Sequence, residues 1–115
     1  MIHYMKLRSD PFNRIKDEKK KVEIRLYDEK RRKVKDNDII EFTNQETDEV
    51  LQVKVIKLKL FKTFKELFDY YDNSYLGHDS NDIISYERMY DYYSIDEEKE
   101  YGVVGIEIKL IKGDE

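Results

Sequence analysis

Val50-Leu51-Gln52-Val53-Lys54-Val55-Ile56-Lys57-Leu58-Lys59-Leu60 is the stretch that decides the fold. Leu51, Val53 and Val55 occupy odd positions, whereas Ile56, Leu58 and Leu60 occupy even ones. In a strand, alternate side chains share a face. One regular strand cannot change phase midway, so the switch between Val55 and Ile56 calls for a β-bulge or a sharp bend. Bends of this kind let a sheet curl into a barrel.

On the N-terminal side of this strand, Ile39 to Thr43 reads as its neighbour, with Ile40 and Phe42 inward and a hairpin loop from Asn44 to Glu49. Residues 28–38 form a polar, basic connection in which Asn37 supplies a left-handed turn position. Residues 21–27 alternate: Val22, Ile24 and Leu26 point one way, and Lys21, Glu23, Arg25 and Tyr27 the other. Ile2 to Leu7 predicts a first strand with Met5 and Leu7 on one face. Asp10 suits a helix N-cap and Pro11 the first turn, so a short helix is expected to about Glu18, burying Phe12 and Ile15.

On the C-terminal side, Thr63-Phe64-Lys65-Glu66 is a capping-box sequence that starts a helix with Leu67, Phe68 and Tyr71 on its apolar side. A polar loop over 72–82 contains Gly77, and a second helix is expected over 85–93 with Tyr86, Met89, Tyr90 and Tyr93 on one stripe. Ser94-Ile95-Asp96-Glu97 starts another short turn to Tyr101. Val104, Ile106, Ile108 and Leu110 alternate in a final strand, and the Gly113-Asp114-Glu115 tail is expected to fray. This order does not repeat as βαβ units. It predicts an α+β fold: one domain over 1–115, a mostly antiparallel sheet curled into a small barrel, and short flanking helices.

Charged residues make up 42% of the chain and its mean hydropathy is -0.87, yet hydrophobic residues still reach 39% and fall in periodic clusters. Periodic clusters of that share argue for a folded domain rather than disorder. The absence of cysteine excludes disulfides, thiolate metal sites and a Cys nucleophile, and fits a reducing cytoplasm. No apolar run approaches the roughly 20 residues that span a bilayer, and no apolar signal core opens the chain, so a cytoplasmic protein without a membrane partner is expected. His3 and His78 each lack a ligand at metal-site spacing, so neither a metal nor a cofactor is expected.

The net charge of -4 hides an asymmetry. Residues 1–40 carry 13 basic and 8 acidic side chains, the remainder 9 and 18. A basic patch can therefore persist despite the acidic balance. Lys20, Lys21, Glu23 and Arg25 concentrate the chemistry: a carboxylate beside a guanidinium on one strand face can orient a polar ligand, and a lysine adds an anion handle or a proton donor. Lys30-Arg31-Arg32-Lys33-Val34-Lys35 is a candidate phosphate contact. Eight of the ten tyrosines lie between Tyr70 and Tyr101; their helical spacing favours a core or an interface. Tyr92 and Tyr75, and above all Tyr27 on the face of Glu23 and Arg25, are stacking candidates.

The run Ile15 to Leu26, with Glu18-Lys19-Lys20-Lys21-Val22-Glu23-Ile24-Arg25 at its centre, resembles the signature G-x-K-x-x-E-x-R of ASCH domains, in the PUA-like superfamily. Asp28-Glu29-Lys30-Arg31, Asp38-Ile39-Ile40 before Phe42, and Tyr101 to Ile108 resemble its continuation. Glu18 and Asn37 stand where the family has glycine, so non-glycine residues must make both turns. The resemblance implies a PUA-like barrel whose cleft takes nucleic acid or a modified nucleoside, lined by Lys20, Glu23 and Arg25.

One branch of the family hydrolyses the acetyl amide of N4-acetylcytidine with a Lys, a Thr nucleophile and a distant Glu. Lys20 matches the Lys, but Glu23 stands at the Thr position, and a carboxylate needs a different mechanism. Three functional expectations follow. The first is RNA or nucleoside binding, with Lys20 and Arg25 holding an anion, Glu23 reading a base amine, Lys21, Tyr27, Arg31 and Arg32 contributing, and Arg88 lying apart. The second is a hydrolase acting on a nucleoside or RNA, amidohydrolase- or ribonuclease-like, in which Lys20 stabilises charge and Glu23 is the general base. The third is self-association or a protein partner, through the acidic tyrosine-rich helices. Residues 63–102 carry 3 basic and 11 acidic side chains, which favours a nucleotide or strand end over a long duplex.

Overall fold

The computed structural model describes residues 1–112 apart from Ser80 and Ile83; the tail expected to fray lies outside the described residues. The elements run β1 (Ile2–Leu7), α1 (Ser9–Lys16), β2 (Val22–Leu26), β3 (Ile39–Asn44), β4 (Val50–Phe61), α2 (Phe64–Tyr70), α3 (Ile95–Tyr101) and β5 (Val103–Leu110). Three short 3-10 segments cover Arg31–Lys33, Asn73–Tyr75 and Tyr86–Asp91. The five strands form one sheet in the order β1-β3-β4-β5-β2. β1 runs parallel to β3 and the other three pairings are antiparallel. This is an α+β fold whose mixed sheet curls into a half-barrel, with β1 and β2 as its two edges.

The bulge falls where the phase of the sequence switches. Val55 pairs with Ile108 and Lys57 with Glu107, so Ile56 is the extra residue and stays exposed. Leu58 returns to the core side, but Leu60 remains exposed, which alternation alone does not anticipate.

Two apolar clusters flank the sheet. Phe12 and Ile15 of α1 pack with Met5, Phe42, Val55 and Ile106 in the first. Phe64 and Leu67 of α2 pack with Val22, Leu26 and Val103 in the second. β5 thus feeds both clusters, which suits a strand covered on both faces. Burial of a side chain such as Phe12 or Phe64 contributes about 2–3 kcal/mol. Gly105 makes the second layer possible: a Cβ there would lie 2.9 Å from the Tyr71 ring. The Tyr71 phenol crosses this gap and donates to Glu107 at 2.9 Å.

Helix ends differ in detail from the sequence expectation. Arg8, not Asp10, holds the cap position of α1, and the Ser9 N–H is accepted by Glu46 at 2.7 Å from the β3–β4 hairpin. Asp10 instead pairs with Arg14 one turn on, at 3.2 Å. α1 stops at Lys16 because Glu18 turns left-handed with φ 60°. The Glu18 N–H then reaches Ile15 O at 2.9 Å and the Lys19 N–H reaches Arg14 O at 2.8 Å, a Schellman closure without glycine. Asn37 makes its turn with φ 73°.

Thr63 accepts from the Glu66 N–H at 3.1 Å, but the Glu66 carboxylate reaches back to Lys62 rather than to Thr63. Ser94 and Glu97 form the full reciprocal box. The helix expected over 85–93 is a 3-10 segment. Its three-residue period puts Tyr86 with Met89; Tyr90, and Tyr93 beyond its end, also pack against the second cluster, and its aromatic residues lend an α-helix little intrinsic support. No helix among the described residues is long and apolar enough to cross a membrane.

Candidate functional site

Lys20 is fixed by the end of α1. Its N–H shares Arg14 O, at 3.0 Å, with the Schellman closure, and its backbone bridges to Leu76. Gly77, at φ 92°, permits this approach: a Cβ there would meet Lys20 Cβ at 3.0 Å and Arg14 Cδ at 3.2 Å. Glu23 and Arg25 follow on β2, held in register by Ile106 and Val104 of β5.

The three side chains converge. Lys20 Nζ lies 3.0 Å from Glu23 Oε1. Arg25 Nε donates to Glu23 Oε2 at 3.0 Å, and Nη2 lies 2.9 Å from the same oxygen. Arg25 Nη2 also donates to Lys6 O at 3.0 Å, so this residue ties edge strand β2 to edge strand β1. The face of β2 read from the sequence as outward is therefore not a solvent face. Glu23 is only 3% exposed. Burial by itself would raise its pKa; the Lys20 and Arg25 charges and hydrogen bonds overcome that and hold it down to about 2. Burial would likewise lower the Arg25 pKa, and the Glu23 charge turns the net shift upward.

Beside the triad, the gap between the sheet edges opens into a cleft of about 940 Å³. Lys6 and Arg8 enter from β1 and its following residue, Arg14 from α1, and His78, Arg88, Tyr92 and Tyr93 from the segment between α2 and α3. Six basic side chains (Lys6, Arg8, Arg14, Lys20, Arg25, Arg88) face three acidic ones (Asp10, Glu23, Glu46). Arg8 Nη1 donates to the Tyr92 hydroxyl at 2.9 Å, and the ring stays mostly exposed. Tyr93 is pushed up by burial, with Arg25 pulling the other way.

Lys20, Glu23, Arg25 and the stacking candidate Tyr92 line this cleft; the other sequence candidates, Tyr75 among them, lie elsewhere. Lys21 is exposed, and its N–H pairs with Tyr75 O at 2.9 Å. Tyr27 packs on the first cluster under the Arg32 guanidinium, 4.5 Å from its ring centre. Arg31 pairs with Asp28 at 3.2 Å, and Arg32 donates to Tyr101 O at 3.4 Å. Arg88, expected apart from the cleft, lines it. Arg8, Arg14 and His78 had no local signal in the sequence; only the turn at Gly77 and the curl of the sheet bring them together. His3 is a satisfied histidine, with Nε2 2.8 Å from Asp38 Oδ2. Among the described residues no group of His, Asp and Glu could hold a metal ion.

A five-stranded mixed sheet curled into a half-barrel with a few short helices is consistent with a PUA-like fold. The family model "ASCH domain" matches residues 5–112, and the chain belongs to that family. It is similar to the crystal structure of hypothetical protein PH0355, at 37% identity and a TM-score of 0.81, covering 96% of this chain and 100% of that one. It is also similar to the solution NMR structure of protein PF0455 from Pyrococcus furiosus, at 32% identity and a TM-score of 0.74, covering 98% and 100%. No curated protein matches the chain.

Proposed function

We propose that the cleft binds single-stranded RNA or one of its nucleosides, with Lys20 and Arg25 as the groups that meet the ligand. The observation that carries this reading is the buried Glu23 carboxylate clamped by two cations at the base of a net-positive, tyrosine-walled gap. ASCH domains, to which this chain belongs, are generally thought to bind RNA, which supports the same class of ligand.

The geometry favours one division of labour. Glu23 Oε1 already accepts from Lys20 and, at 3.3 Å, from the Ile24 N–H, while Oε2 accepts from Arg25. Little acceptor capacity remains for a base amine. Arg25 Nη1 has no protein partner among the described residues, and Lys20 Nζ has donors to spare. The cleft base therefore presents donors, suited to base carbonyls or phosphate oxygens, and Glu23 acts by holding those donors in place. Tyr92 offers a ring for stacking. A hydrolytic role for Glu23 gains no support, because a carboxylate held near 2 is a weak general base at neutral pH.

Fluorescence anisotropy with short single-stranded RNAs, and thermal shift with nucleosides, test the reading. Arg25→Ala is expected to abolish binding, and Lys65→Ala, on the exposed face of α2, to leave it intact. Equal losses in both variants, or no binding by the parent protein, would sink it.

A further inference from the structure

We propose that Arg14, Lys20, His78 and Arg88 form a discrete phosphate subsite at the α1 end of the cleft, so that the ligand is a phosphate monoester rather than an uncharged nucleoside. This rests on the nucleotide-binding reading above and narrows it.

The first observation is geometric. Arg14 Nη1 lies 2.8 Å from Nδ1 and 3.2 Å from Nε2 of His78. An arginine can only donate, so the ring nitrogen that meets it must present a lone pair. This geometry favours a neutral His78 whose nearer nitrogen, Nδ1, accepts from a cation. Gly77, next to His78, leaves room for this approach: a Cβ there would meet Lys20 Cβ at 3.0 Å and Arg14 Cδ at 3.2 Å.

The second observation is the charge around the ring. Burial lowers the His78 pKa first, and Arg14, Arg88 and Lys20 lower it further; Asp82 alone opposes them. Three cations and an imidazole therefore line the same part of the cleft, with Arg88 itself exposed. Arg14 shares its charge with Asp10 and Lys20 with Glu23, whereas Arg88 meets no carboxylate among the described residues. Beyond His78 lies a smaller hollow of about 320 Å³, where Asp10, Asp17, Asp79 and Asp82 outnumber Arg14 and Lys19. That acidic excess disfavours an anion there and favours its approach from the net-positive cleft side.

A phosphate placed there completes the corner. Arginine recognises its oxygens with paired N–H groups, and Lys20 adds a point charge. The anion also removes the reason for His78 to stay neutral: the imidazole can take up a proton, turn from acceptor to donor and bind a third oxygen. Phosphate binding and protonation of His78 are then linked, each favouring the other, and affinity rises as pH falls toward the ordinary histidine range.

NMR titration of the His78 ring with inorganic phosphate tests the subsite without any nucleoside. The expected result is a shift of the ring signals and a higher ring pKa with phosphate present; an unmoved ring in millimolar excess overturns the proposal. Calorimetry with uridine and uridine 5′-monophosphate tests its link to the cleft. The monophosphate should bind at least about tenfold tighter, the scale of one good charge-assisted pair. In an Arg14→Gln, Arg88→Gln double variant that ratio should fall toward one; a ratio that survives overturns the proposal. A trinucleotide with or without a 5′-phosphate tells a strand end from a free nucleotide as the source. If uridine binds as well as its monophosphate and His78 stays silent, the subsite falls and the nucleoside reading stands. If phosphate moves His78 but no nucleoside or nucleotide binds, the subsite stands and the broader reading falls.

Discussion

Glu23 and Arg25, two residues apart on β2, meet through a forked contact in which Nε at 3.0 Å and Nη2 at 2.9 Å address one carboxylate oxygen. With Lys20 on the other oxygen, the carboxylate is ionised in a place where burial alone would keep it neutral. Coulomb attraction at these distances outweighs desolvation only because both oxygens are engaged.

This arrangement makes stability depend on acid. The folded pKa of Glu23, about 2, lies below its ordinary value of 4.5, so the folded state binds the proton more weakly than the unfolded chain. The contribution is complete above the ordinary value and is lost as pH falls toward 2. Urea unfolding is expected to give a free energy that drops by about 3 kcal/mol through that acidic window on account of this group. Glu23→Gln should flatten the drop; an unchanged slope in that variant refutes the assignment.

Glu98 joins two helices. Its Oε2 accepts from the Phe64 N–H at the start of α2 at 2.7 Å, and both its oxygens lie within 3.0 Å of the Tyr90 hydroxyl. Glu98→Ala leaves a buried N–H without its acceptor and should cost about 2–3 kcal/mol of stability by chemical denaturation. Glu98→Gln keeps one oxygen and should recover part of the loss. Equal losses from both would show that packing, not the hydrogen bonds, carries the effect.

Glu18 adopts φ 60° in a position that glycine fills without strain. Glu18→Gly removes a surface ion pair with Lys112 that water screens, and relieves the backbone. A gain of about 1 kcal/mol is expected, read as a higher urea midpoint at unchanged slope. A loss would mean that the Lys112 contact outweighs the turn.

Gly105→Ala brings a Cβ to 2.9 Å from the Tyr71 ring, with no flexible terminus to yield. Destabilisation of about 1–3 kcal/mol is expected from this overpacking. The double change Gly105→Ala, Tyr71→Leu should restore much of it, and failure to do so would place the strain elsewhere.

Much of the fold was legible because it is written in local periodicity. The bulge at Ile56, the cap at Thr63, the box at Ser94 and the left-handed turn at Asn37 all follow from neighbouring residues. The family signature led to Lys20, Glu23 and Arg25, which the structure brings together. What alternation could not show was that both faces of β2 are covered, since a charged face reads as solvent until its counter-charges are placed. Nor could it show that Arg8, Arg14, His78 and Arg88 share one gap, because that depends on how distant segments fold over the strand. Tyr27 illustrates the converse: it lies one residue past β2, and Arg32 from the following loop closes over it.

The Arg25-to-Lys6 contact has one more consequence. A sheet with two bare margins invites other chains to extend it, and such extension is a route to aggregation. Here the margins curl toward one another, and a guanidinium laces them across the opening. A foreign strand would have to break that lacing before it could enter the slot between them.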